Sequence, residues 1–259
     1  MNETLPSCEI FGIRVNYADY QRFVEQVISL ANIRQAGYVC IANVSSVIEA
    51  HNDAGFRNVI NSADFTTPDG MPLVWGLKMR GFKGARRVCG PELMPLICAK
   101  AEATGITVGF YGSSGYNLCL MKEKLKKRFP ALNIVYMHSP PFRPLAREED
   151  EREVSEIQAS GARILFVGLG CPKQEEWMAS HKDKIPAVMV GVGAAFDFIA
   201  GTKKRAPAWM QQSGLEWLFR LIQEPKRLWK RYLFGNAVFV GIAIRELLGE
   251  GIKKCKIQS

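Results

Sequence analysis

The chain has 259 residues, 47% of them apolar, and carries 34 Lys and Arg against 25 Asp and Glu for a net charge of +9. Length and composition support one large domain, or one domain with an appendage, and exclude a disordered chain. The seven cysteines form no Cys-x-x-Cys or Cys/His cluster, which argues against a disulfide framework or metal site and predicts reduced thiols in a cytoplasmic protein. Residues 1–7 lack the basic and apolar regions of a signal peptide.

In chain order, helical patterns at 17–32, 44–52, 90–104, 116–129, 148–160 and 175–181 alternate with apolar strand-like runs at 38–42, 107–111, 134–137, 164–168 and 187–192. This alternation predicts an α/β fold, a Rossmann-like and mostly parallel sheet with helices on both faces. Charge then divides the chain. From residue 202 onward there are 12 Lys and Arg against 4 Asp and Glu, or +8, which leaves 22 minus 21, or +1, for residues 1–201. The expected organisation is a Rossmann-like catalytic domain over 1–201 and a basic, aromatic-rich helical appendage over 202–259.

The appendage mixes its charge with Trp209, Trp217, Phe219, Trp229, Tyr232 and Phe234 and an apolar run at 237–244. Aromatic, basic and apolar residues together favour an anionic membrane surface over nucleic acid. The run is far short of the roughly 20 residues that a spanning helix needs. Leu215, Leu218, Phe219 and Ile222 recur at helical spacing, and Lys226, Arg227, Lys230 and Arg231 concentrate charge nearby. Membrane docking with active-site closure is one reading of this pattern; core packing with solvated charge is the other.

Three segments carry candidate chemistry. In 63–72, Pro68 and Gly70 restrict the backbone around Asp69, which suits a carboxylate held at a cleft mouth as a general base; a turn or helix-cap role is equally open. Asp64 reads as structural. In 109–115, Gly112 belongs to a glycine cluster between a strand and a helix. The next strand ends in His138 and Ser139, without the carboxylate that would hold the ribose of a dinucleotide, so NAD is disfavoured while a phosphate or nucleoside diphosphate is allowed. In 163–177 a buried strand breaks on Gly168 and Gly170, and Pro172, Lys173, Gln174 and Glu175 open a helix. Either this turn approaches a phosphate or it is an ordinary strand-to-helix connection.

Four segments together resemble the WecG/TagA/CpsF family of glycosyltransferases: Asn43 with its following helix, 64–70, 168–175, and 191–201 with Arg205-Ala206-Pro207. The resemblance runs from about 10 to 232. It implies a metal-independent, inverting enzyme of Rossmann-like fold that moves a sugar from a UDP-sugar donor to a polyprenyl-diphosphate-linked acceptor at the inner face of the cell membrane. No cofactor is implied, since the UDP-sugar is a substrate, and a homo-oligomer is compatible with it. Carried onto this chain, the resemblance makes Asp69 the catalytic base and Asn43 the sugar-contacting amide. Arg87 becomes a basic position near the cleft, and Gln174 and Glu175 the polar end of the glycine turn. Gly112, Gly168, Gly170, Lys173 and Asp197 complete the expected substrate-binding set.

With no Asp-x-Asp metal motif, the diphosphate falls to helix N-termini and basic side chains, chiefly Arg205, Arg220, Arg227 and Arg231. Each arginine is also readable as a solvated or membrane-facing charge, and Glu216 or Glu224 as its partner. The chain has Ile41 where many relatives carry a hydroxyl two positions before the asparagine, which opens glucose or another hexose beside N-acetylmannosamine as the donor sugar. The competing readings are a nucleotide-dependent oxidoreductase and a non-enzymatic, membrane-associated nucleotide-binding protein.

Overall fold

The computed structural model describes residues 5–226, 229, 235 and 238–245. The elements are β1 (Ser7–Ile10), β2 (Ile13–Asn16), α1 (Tyr20–Asn32), β3 (Gly37–Ala42), α2 (Val44–Asn52), α3 (Ala54–Asn61), β4 (Phe65–Pro68), α4 (Met71–Met79), α5 (Gly90–Thr104) and β5 (Val108–Gly112). They continue with α6 (Gly115–Arg128), β6 (Ile134–His138), α7 (Arg147–Ser160), β7 (Ile164–Gly168), α8 (Lys173–His181), β8 (Val188–Gly191), α9 (Ala195–Ala200), α10 (Ala208–Gln212) and α11 (Glu216–Gln223). Six strands form an all-parallel sheet in the order β4-β3-β8-β7-β5-β6, flanked by helices, so the fold is α/β and Rossmann-like. Its strands are continuous apolar runs because both faces are covered.

The chain divides into two compact units, and among the described residues one comprises 20–40 and 89–203, the other 5–19, 41–88 and those from 204 on. In the first unit, β7 pairs with β5 and β8 over fully buried residues such as Phe110, Phe166, Leu165 and Val190. Phe110 stacks on Phe166 and meets Phe196 of α9 edge-on, which fastens that helix to the sheet. In the second unit β1 and β2 form an antiparallel hairpin, and Asn16 Oδ1 accepts from the Thr66 N–H of β4 at 2.8 Å.

Among the described residues no helix is long and apolar enough to cross a membrane. Among the described cysteines, Cys8 departs from the all-reduced expectation in being disulfide-bonded, whereas Cys40, Cys89, Cys98, Cys119 and Cys171 are free. An odd count with scattered spacing argues against a framework of bridges but carries no information about a single one.

Candidate active site

The second unit holds a cavity of about 460 Å³ beyond the carboxyl ends of β3 and β4, where ligands of open parallel sheets bind. Asn43 and Asp69 both line it. Asn43 directly follows β3 and caps α2: its Oδ1 accepts from Ser45 N–H at 2.9 Å, while Ser46 Oγ accepts from the Asn43 N–H at 3.3 Å. This reciprocal cap fixes Asn43 at the cavity wall. Asp69 follows β4, and its N–H donates to Ala42 C=O at 2.8 Å, which ties the chain just beyond β4 to the last residue of β3.

The cap reading of Asp69 does not hold, because the N-cap of α4 is Gly70 and no side chain caps it. The Asp69 carboxylate is instead gripped by Arg87, whose Nε and Nη2 lie 2.9 and 2.8 Å from Oδ1. Arg87 is positioned by strand-like bonding to β4: Val88 N–H donates to Pro68 C=O at 2.9 Å, and Thr67 Oγ1 donates to Val88 C=O at 3.0 Å.

Charge continues from this pair along the wall. Arg87 Nη2 lies 2.6 Å from Glu216 Oε2, and Glu216 Oε1 accepts from Arg220 Nε at 2.9 Å and Nη2 at 2.5 Å. Gln211 Oε1 accepts from Arg205 Nη2 at 2.8 Å and from Arg87 Nη1 at 3.3 Å. Burial pushes the Asp69 carboxyl above the usual carboxylate range even though Arg87 pulls it down. Burial also raises Glu216, but Arg220 and Arg87 outweigh it and hold that carboxyl below its ordinary value. Two carboxylates on one wall are thereby set apart, one made more basic and the other kept ionised.

The rest of the lining is largely apolar, with Ile48, Met71, Trp75, Trp217, Phe239 and Val240. Trp75 and Trp217 retain 48% and 37% of their surface exposed. A lining that combines charged with aromatic and aliphatic side chains fits a ligand with a charged and an apolar part.

Of the other expected site residues, Arg205 and Arg220 belong to this second unit, while Arg227 and Arg231 lie outside the described residues. Gly112, Gly168, Gly170, Lys173, Gln174, Glu175 and Asp197 belong to the first unit. Gly112 has φ +125°, and a Cβ there would stand 2.5 Å from the Gly168 carbonyl oxygen; the paired ends of β5 and β7 require its missing side chain. Gly170 has φ +81° with nothing within 4 Å of a Cβ, so only its backbone angle calls for glycine. Lys173 is exposed.

Gln174 is buried, its Oε1 accepting from Gly193 N–H at 2.8 Å and its Nε2 donating to Glu175 Oε1 at 3.1 Å. A Cβ on Gly191 would stand 2.5 Å from that same Nε2. Glu175 is 1% exposed, its Oε2 has no hydrogen-bond partner, and burial raises its carboxyl to about 7. Asp197 accepts from Ser113 Oγ at 3.0 Å and Asn117 Nδ2 at 2.8 Å and pairs with Lys203 Nζ at 3.1 Å, a tie between α9 and the β5–α6 connection. Ile41 is buried at the end of β3 and is not part of the cavity lining.

Sequence reasoning missed Gln211 and Trp75 as wall residues, since an isolated Gln and a Trp within a helix carry no motif. It offered Glu216 only as one partner for the tail arginines.

The sequence profile described as the Glycosyl transferase WecG/TagA/CpsF family matches residues 8–252. The chain belongs to this family. It is also 33% identical over 201 residues, 77% of its own length and 76% of the other protein's, to an N-acetylglucosaminyldiphosphoundecaprenol N-acetyl-beta-D-mannosaminyltransferase of Bacillus spizizenii. Membership makes the protein a glycosyltransferase and displaces the oxidoreductase alternative.

Proposed function

We propose that this protein transfers an N-acetylhexosamine of the N-acetylmannosamine type from a UDP-sugar to a polyprenyl-diphosphate-linked saccharide, with inversion and without a metal, in bacterial surface or wall polymer synthesis. The observation that carries the reading is the Asp69 carboxylate, made more basic by burial and held by Arg87 on the polar wall of a half-apolar cavity. In a single displacement, Asp69 takes the proton of the acceptor hydroxyl as its oxygen attacks the anomeric carbon. The bond from that carbon to the UDP oxygen breaks, and the electron pair leaves with the diphosphate. Arg87, Arg205 and Arg220 supply positive charge along the wall for the diphosphate of the lipid-linked acceptor, and Asn43 positions the sugar. The name of the Bacillus relative supports both the sugar and the lipid-linked diphosphate acceptor.

Peripheral attachment of the segment from residue 202 to the inner face of the membrane is part of the same proposal. It is supported by exposed Trp209, Trp217 and Ile222 beside the basic residues of that segment.

The test is a screen of UDP-sugars in excess EDTA, with a lipid-diphosphate-linked N-acetylglucosamine presented in anionic or neutral liposomes. Transfer from UDP-N-acetylmannosamine, fastest on anionic liposomes, is expected. A preference for UDP-glucose would replace the donor sugar, dependence on added Mg²⁺ would remove the metal-free mechanism, and indifference to lipid charge would remove the membrane role.

A further inference from the structure

Three arginines and two carboxylates line or adjoin one wall of the cavity, and the carboxylates do different things. Asp69 meets Arg87 through carboxylate Oδ1 and through its main-chain carbonyl oxygen. Glu216 divides its two oxygens between two arginines, Oε2 to Arg87 at 2.6 Å and Oε1 to Arg220 at 2.5 and 2.9 Å. An anion bridging two guanidiniums with separate oxygens is the arrangement that a diphosphate makes with the same groups, because adjacent phosphate oxygens present the same fork-matching acceptors. Glu216 is 19% exposed in its side chain and lines the cavity, so a ligand there can reach the arginines that it holds.

The charges favour an exchange, because a diester of diphosphate brings two negative charges to the position where Glu216 supplies one. Glu216 is the first residue of α11, a helix with no fully buried residue, so its departure does not break the core.

We propose that Glu216 is an internal counter-ion that occupies the diphosphate position between Arg87 and Arg220 and is displaced when a diphosphate-bearing ligand binds. The proposal rests on the acceptor reading above for the ligand's identity, but not for the exchange itself. Glu216 here is a positioning and competing residue, not a catalytic one. It keeps the two guanidiniums poised and makes any anion weaker than a diphosphate pay for its removal.

The experiment titrates inorganic pyrophosphate into the full chain by calorimetry, for wild type, Glu216→Gln and Glu216→Asp. Glu216→Gln is isosteric and keeps an oxygen for Arg220 but carries no charge. It should bind pyrophosphate at least about tenfold more tightly than wild type and lower KM for the lipid-diphosphate acceptor. Glu216→Asp retains the competing charge and should bind as wild type does. Equal or weaker pyrophosphate binding by Glu216→Gln overturns the proposal, since a residue that merely shapes the arginines would weaken the site when neutralised. Tighter binding by Glu216→Gln together with no transfer from any UDP-sugar in either protein would leave the exchange standing and remove the acceptor reading instead.

Discussion

The glycine turn after β7 and the cavity beyond β3 and β4 both lie at carboxyl ends of parallel strands, yet their polar groups are engaged differently. Around the turn's unit, Gln174 bonds to Gly193 N–H and the Glu175 side chain, Asp197 of α9 bonds to Ser113 and Asn117, and Gly112 at the end of β5 is required by the adjacent strand. At the cavity, Asp69, Arg87, Glu216 and Arg220 are linked in a chain of ion pairs, and all four line open volume. Polar residues that close on packed neighbours fix a fold; polar residues that close on each other beside a void can exchange partners for a ligand. The more conspicuous motif is therefore the more structural of the two in most of its residues.

The sharpest way to break this contrast is Asp69→Asn, which keeps shape and hydrogen bonding but removes basicity. Transfer should fall by about 10²- to 10⁴-fold, about 3–5 kcal/mol of barrier, with the melting transition retained. Near-normal turnover would move the chemistry away from the cavity.

The glycines give the next largest effect. Gly112→Ala should cost about 3–4 kcal/mol in denaturant unfolding, because it combines a φ reserved for glycine with a clash against backbone. Gly170→Ala, with the angle alone to oppose it, should cost about 1–2 kcal/mol. Equal costs would mean that the two glycines are not distinguished by packing.

Glu175 offers the third comparison, through pH. Its carboxyl titrates near 7 in the folded protein and near 4.3 when unfolded, so folding disfavours the charged form. The resulting cost is absent below about pH 4, grows as pH rises between the two values and is complete above 7, where it reaches up to about 4 kcal/mol. Glu175→Gln should accordingly stabilise the protein at pH 8 and hardly at all at pH 4. A stability difference that does not change with pH would show that Glu175 is not titrating in that interval.

Much of the sheet was legible in the sequence. The run at 164–168 and the helices at 44–52 and 90–104 agree with β7, α2 and α5 to the residue, because buried strands and well-patterned helices announce themselves by period. The hairpin of β1 and β2 was not legible, since strands of four residues offer too little alternation to read. Helix α3 was missed for another reason: its sequence contains Gly55, Asn58 and Asn61, poor helix formers, and is held by the Asp53 cap and by buried Phe56 and Ile60. Of the site, Asp69, Asn43 and Arg87 were reachable because local backbone restriction and family resemblance pointed to them. Gln211 and the bridging geometry of Glu216 were not, because contacts across more than a hundred residues leave no mark on spacing.

One contact also constrains how this chain can vary. The Gln174 amide is pinned by Gly193 and Glu175 in the space that a Cβ on Gly191 would enter. The two positions are therefore epistatic. An alanine at 191 is penalised while Gln174 is present and becomes admissible once position 174 is shortened and the nearby Met178 side chain swings aside. Drift at the glycine depends on prior drift at the amide, so a lineage that loses Gln174 first opens a route through sequence space that is closed to one that begins at Gly191.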